Sequence, residues 1–220
     1  MRAALLLFLA ALAPASCLGQ RALTQEFRLT DGLYRSLDEF MRDAPSLSWK
    51  EVDATWAYND RMRCFQVERI TRRGRPEQLL QDSIWGFALR GIPHIRVAPD
   101  SCGRPLSLFP ELVVRGLINT FAYEREQLES IPMKAYNPLT GTVFRKGNVR
   151  RSHTTLERRM FHLGQGELLP LDTRVLEAWM AQEADLVRAL NQAPDAMYEE
   201  MLLRALVQFN NRHPFIIQSP

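Results

Sequence analysis

Apolar and polar positions along the chain change rhythm as it is read from one end to the other. Between about residue 47 and 146 they form short runs separated by turn residues, the pattern of strands joined by hairpins. From about residue 172 to 211 they recur near every third and fourth position, the pattern of helices. The densest run is Asp82–Gly91, where Trp85 and Phe87 flank Gly86. Ile84 and Trp85 are good strand formers. Gly86 between two rings predicts the close approach of another backbone or ring. Arg90-Gly91 predicts a turn with positive φ, and Pro93–Val97 the returning strand. A second hairpin is predicted for Leu112–Val114 and Leu117–Phe121 around Arg115-Gly116. A third joins Met133–Tyr136 to Thr142–Arg145 through Asn137–Gly141, where Asn-Pro opens the turn and glycine closes it.

The flanking segments complete the outline. Residues 20–30 read as a loose polar arm, and Thr30-Asp31-Gly32 as a turn. Ser36, three residues before Glu39, forms a capping box for a short helix over 37–43. Ala44-Pro45-Ser46 ends it. Near the other end, Val175, Leu176, Trp179, Leu186, Val187 and Leu190 predict one helix over 171–192, with Asp172 or Thr173 as N-cap. Ala193-Pro194-Asp195 breaks it. A last helix is expected over 195–210, with Met197, Met201, Leu202, Ala205, Leu206 and Phe209 on one face. The expected fold class is α+β: a curved antiparallel β-sheet or partial barrel, a short N-terminal helix and two C-terminal helices. No Gly/Ser/Pro-rich boundary divides residues 20–220, so they are expected to form a single α+β domain, β-rich about 47–146 and helical about 172–211.

The first residues change the picture of where the protein acts. Arg2 precedes an apolar run from Ala3 to Ala13, too short for a spanning helix. Small residues follow at Ala13, Ala15, Ser16 and Gly19. This is the pattern of a secretory signal peptide over residues 1–19, with cleavage after Gly19 or after Ala15. The mature protein is therefore expected to be exported, periplasmic or extracellular, with no transmembrane span. Cys17 opens an alternative, a lipid anchor of the bacterial lipoprotein type, although Pro14 stands where that signal usually has leucine. In an oxidising compartment Cys64 and Cys102 form a disulfide or remain two separate thiols; spacing alone leaves both readings open.

Composition narrows the chemistry. The 220 residues carry a net charge of +3, too little to indicate nucleic-acid binding. Lysine occurs only at Lys50, Lys134 and Lys146, so arginine supplies most positive charge. Two basic clusters stand out: Arg61, Arg63, Arg69, Arg72, Arg73 and Arg75, then Arg145, Lys146, Arg150, Arg151, Arg158 and Arg159. If they converge, Arg69, Arg72, Arg73, Arg150 and Arg151 would form an anion-binding surface for lipid head groups, glycans or an acidic partner. Interleaved Glu68, Glu77 and Glu157 favour two solvated turns instead.

Candidate catalytic constellations are thin. There is no Gly-x-Ser-x-Gly elbow, and Asp82, His94 and Ser101 make only a paper triad. His94, His153, His162 and His213 lack ligand spacing. Glu68 and Asp82 lack any signature of a glycosidase pair. No phosphate-binding glycine loop is present, so no cofactor and no metal are expected.

Four landmarks occur in a familiar order: Gly32-Leu33-Tyr34-Arg35-Ser36-Leu37-Asp38-Glu39-Phe40 with Ala44-Pro45-Ser46; Asp82 to Phe87 with its Trp-Gly-Phe; Tyr136 to Gly141; and Phe209-Asn210-Asn211-Arg212-His213-Pro214. Together they resemble a family of small secreted proteins common in Bacteroidota. The chain departs from that pattern at Arg90-Gly91, where an Asp-Gly turn is usual. The resemblance implies export and the fold; it brings no activity and no catalytic residues. The expected role is a non-catalytic binding or interaction protein of the cell envelope or the exterior; the alternatives are a lipid- or glycan-binding module using a basic surface, or a hydrolase with an unrecognised site. Its partner would be an envelope protein, an anionic lipid or a glycan, with nucleic acid not expected given export. Trp85 and Phe87 are either ligand-binding aromatics or core, and the helical face with Met197 and Met201 is either a docking surface or core.

Overall fold

The computed structural model describes residues 20–75, 79, 83–97 and 107–218. The expected signal peptide with Cys17, the loop with Ser101 and Cys102, and Asp82 lie outside the described residues. The fold is α+β, built from open curved antiparallel sheets, with no closed barrel among the described residues.

Eleven strands and four α-helices are described. The two chain ends meet first: β1 (Gln20–Ala22) pairs antiparallel with β11 (Ile216–Gln218). Residues 20–30 are thus not the loose arm that their polarity predicts. Leu23, Phe27 and Leu29 are buried, and the Leu23 N–H donates to Phe215 O at 2.8 Å. Three apolar side chains at irregular spacing carry no strand or helix period, yet they are enough to bind the segment to the core.

The central sheet is β2 (Gly32–Tyr34), β5 (Gly86–Leu89) and β6 (Ile92–Ile95). The Trp-Gly-Phe hairpin forms as its turn chemistry predicts. Arg90 (φ 55°) and Gly91 (φ 74°) are both left-handed, the geometry of a two-residue turn matched to strand twist. A Cβ on Gly86 would lie 2.6 Å from the His94 carbonyl oxygen, so only glycine lets these strands approach. Strand alternation sends Leu33 and Phe87 to one core, beneath the sheet of β3 (Val52–Asn59), β4 (Cys64–Arg72) and β7 (Ser107–Pro110). Tyr34 and Ala88 enter a second core on the opposite face.

Two long strands close that second core. β8 (Ile118–Tyr136) and β9 (Val143–His162) form one hairpin of 19 and 20 residues. At its root, Phe121, Tyr123 and Phe161 face the sheet core. Ile118 and Met160 face a third core lined by helices. Short β10 (Leu168–Pro170) pairs with β9 on one edge.

The helices follow the predicted periodicity with one break. α1 (Leu37–Met41) starts at Ser36, whose Oγ accepts the Glu39 N–H at 3.2 Å. The Glu39 carboxylate reaches back to the Arg35 N–H, at 2.7 Å. The expected helix over 171–192 is two helices, α2 (Thr173–Trp179), capped by Asp172, and α3 (Ala184–Asn191). Nothing in Ala181-Gln182-Glu183 breaks a helix intrinsically. The break buries Met180 and lets Glu183 meet Arg212 and His213. α4 (Tyr198–Arg212) follows a short 3₁₀ turn at Asp195–Met197. Leu202, Ala205, Leu206 and Phe209 are buried, Met201 is half-buried and Met197 is exposed.

Asn210 shows what part of the Phe209–Pro214 motif does. Its Oδ1 accepts the Ile118 N–H at 2.9 Å, and its Nδ2 donates to Ile118 O at 2.8 Å. Its side chain also occupies the space a Cβ on Gly116 would need, at 2.3 Å. The predicted second hairpin is therefore reduced to a single bridge, Val114↔Thr120. Side chains, rather than a ladder, hold the backbone at 115–119.

Candidate functional site

Phe87 is buried at 1% exposure, in ring contact with Trp49, Trp56, Phe65 and Phe109. Trp85 is half-buried and packs on Phe40, with centroids 5.0 Å apart, and on Phe161. The central hairpin thus spends its aromatics on two different cores. Cys64 is buried, its Sγ 3.6 Å from Phe65 O; its proposed partner Cys102 lies outside the described residues.

The four histidines occupy separate environments. His94 is buried, stacked on Phe87 at 4.9 Å and edge-on to Phe65. Its Nδ1 lies 3.0 Å from Ile92 O. Burial holds the imidazole down at about 4, so it is neutral at ordinary pH. His162 packs against Trp179, and its Nδ1 accepts the Gly164 N–H. His213 joins Glu183 at 2.7 Å, at the C-terminus of α4. His153 lies exposed on β9. Among the described residues no three His, Cys, Asp or Glu side chains cluster to hold a metal ion. Asp82 and Ser101 lie outside the described residues, and the His94 ring is walled in by aromatics.

Buried polar groups are structural in their contacts. The Asp43 carboxylate accepts the Thr30 N–H at 2.6 Å, the Thr30 hydroxyl at 3.1 Å and the Tyr34 hydroxyl at 2.9 Å. Burial and the neighbouring carboxylate push the Tyr34 phenol far above its usual range, so it remains a donor. Arg115 and Glu111, both buried, pair at 3.4 Å.

The basic clusters lie on different sheets. Arg69 and Arg72 are on β4 and Arg73 follows it, paired with Asp53 at 3.0 Å. Arg150 and Arg151 lie midway along β9 in the hairpin. Nearer the root, Arg158 binds Glu199 at 2.6 Å, and Arg125 and Arg159 flank Glu157. A shallow groove of about 600 Å³ opens there between Arg61, Arg63, Glu124, Arg158 and Glu199. It contains no histidine, cysteine or serine, and its described charges include the Arg158–Glu199 pair.

Beyond Tyr123 the β8–β9 hairpin leaves the core and continues as a two-stranded ribbon for about 40 Å. Almost every side chain from Leu128 to Tyr136 and from Val143 to Thr154 is exposed. The turn is well made: Gly141 N–H donates to Asn137 O at 2.8 Å, and Leu139 N–H to Asn137 Oδ1 at 2.9 Å. From Ser130 to Ser152 the ribbon contains no Asp or Glu, and carries Lys134, Arg145, Lys146, Arg150 and Arg151. Among the described residues no carboxylate forms an ion pair with these five.

Sequence reasoning found the turn of this ribbon and missed its length. It ended the β-rich part at about residue 146 and read beyond it only the basic cluster from Arg145 to Arg159 and the separate His153 and His162. The usable signal was the lack of any glycine-proline punctuation from Ile118 to Ile131 and from Asn148 to His162, which lets both strands run on. No protein-family model, curated protein or solved structure matches this chain.

Proposed function

We propose that this is an exported, non-catalytic binding protein of the cell envelope or exterior, acting through its basic β-ribbon. One observation carries the reading: a ribbon that buries little, projects from a well-packed body and gathers five cations, of which only Arg151 faces a carboxylate across the ladder, that of Glu129. A two-stranded ribbon with both faces in water gains little stability from packing. Charge of one sign along it attracts an anionic partner and discourages self-association. The first residues, with their signal-peptide pattern, and the resemblance to secreted Bacteroidota proteins support export. Among the described residues no helix is long and apolar enough to cross a membrane.

Expression in a bacterial host, followed by fractionation, tests this. The expected result is a processed protein that associates with the envelope fraction in low salt and is released by high salt. A variant in which Arg125 joins Thr155 through a short Asn-Gly turn should keep the body fold and lose that association. Retention of the full N-terminus in the cytoplasm would overturn export. Equal association of the shortened variant would overturn the role of the ribbon.

A further inference from the structure

We infer that the ribbon tip docks on an anionic lipid bilayer, with its turn in the head-group region and its lysines at the surface. This rests on the binding role proposed above and names the chemistry of the partner. The argument begins with an arrangement that folding alone disfavours. Lys134 and Lys146 lie directly opposite one another in the ladder, and like charges in that position repel. They are two of only three lysines in the chain. Ala135 faces Arg145 and Ser130 faces Arg150, so neither arginine meets a carboxylate across the strand. Charge placed against local stability points to an anion supplied from outside.

The apolar groups decide which anion. Leu139, at the crest of the turn, is 93% exposed, and Tyr136 and Met133 beside it are 56% and 54% exposed. Val143 pairs with Tyr136 and is also exposed. A phosphate or sulfate polymer gives these groups nothing, whereas a bilayer accepts them. The Lys134–Lys146 rung lies two residues behind the Tyr136–Val143 rung, about 7 Å along the strand. That spacing fits an apolar tip entering the head-group boundary by about 5–10 Å with ammonium groups at the phosphate level. Tyrosine suits the interface between them.

A second copy of the ribbon is a poorer occupant. Edge-to-edge pairing would bring like charges together, and Pro132, within an unbroken register opposite Asn148, removes a donor from the β8 strand.

The test uses the full mature chain and vesicles of phosphatidylcholine with or without phosphatidylglycerol. Sedimentation with vesicles should require phosphatidylglycerol and weaken with salt. Lys134→Gln with Lys146→Gln should lower the partition roughly thirtyfold, taking about 1 kcal/mol per cation near a charged surface. Leu139→Ser should lower it about tenfold, as expected for one apolar side chain withdrawn from hydrocarbon. In a Leu139→Trp variant, brominated acyl chains should quench fluorescence beyond the level of the unchanged protein. Lack of vesicle binding alongside intact ribbon-dependent envelope association overturns the lipid inference and leaves the binding role standing. Tighter binding to heparin or duplex DNA, with Leu139→Ser neutral, overturns it in favour of a polyanion. Vesicle binding without quenching overturns insertion of the tip.

Discussion

The two ends of the β8–β9 ribbon share a backbone geometry and differ in their surroundings. At the root, opposite faces enter two cores: Phe121, Tyr123 and Phe161 pack with the central sheet, and Ile118 and Met160 with the helices. At the tip, Tyr136, Leu139 and Val143 meet water. Root charges are paired, as in Arg158–Glu199 and Arg125–Glu157, whereas Lys134 opposes Lys146. The difference teaches that strand pairing is only a frame here. Side-chain environment assigns the inner third to stability and leaves the outer part available for contact with something else.

The strongest way to break this comparison is to truncate one apolar group at each end. Phe161→Ala should cost about 3–5 kcal/mol, since it opens a cavity in the core. Leu139→Ala should stay within about 0.5 kcal/mol, as an exposed substitution. Urea unfolding of both variants checks this; similar losses would mean that the tip is packed in the folded protein.

Acid should act on the body through His94. Its folded-state value, about 4, lies below the ordinary imidazole value of 6.5. The unfolded chain therefore takes up the proton first. Stability is full above about pH 6.5, falls as pH drops through that value and levels off below about 4, with a loss of roughly 3 kcal/mol. Unfolding near pH 8 and near pH 4, in the wild type and in His94→Phe, measures it. The variant should lose this component of the pH dependence; an unchanged profile would remove His94 as its source.

The smallest effect sharpens the comparison most. Lys134→Glu replaces a repulsive cross-strand pair with an attractive one, and should stabilise by about 0.5 kcal/mol while weakening vesicle binding. Thermal melts and sedimentation on one preparation would reveal the opposed signs. A variant that gained neither stability nor lost binding would return the tip lysines to ordinary solvated charge.

Much of the fold was legible in the sequence, and the exceptions have physical causes. The Arg90-Gly91 and Asn137–Gly141 turns, the Ser36 cap and the α4 face follow from local chemistry. The split at Met180–Glu183 did not show, because tertiary contacts of Glu183 override good helix propensity. The burial of Leu23, Phe27 and Leu29 depends on partners distant in the chain, among them Ala88, Phe161 and Ile217. Among the candidate site residues, Trp85 and Phe87 read as either ligand-binding or core aromatics, because only the fold shows which rings pack around them. The arginines were recognised as clusters, but the sheets that separate Arg69 from Arg150 were not visible. The tip lysines became informative only when the register placed them face to face.

The Asn137–Gly141 turn also governs how the interior is assembled. Tyr136↔Val143 closes the shortest loop in the ribbon and Ile118↔His162 the longest. Loop-closure entropy rises with length, so pairing is least costly when it zips from the solvent end inward. A slip of one residue at the turn would turn one strand over relative to the other. With β9 held in place, Ile118 would then point at the sheet, and Phe121 and Tyr123 away from it. The segment contributing least to the cores therefore encodes their alignment, from about 40 Å away.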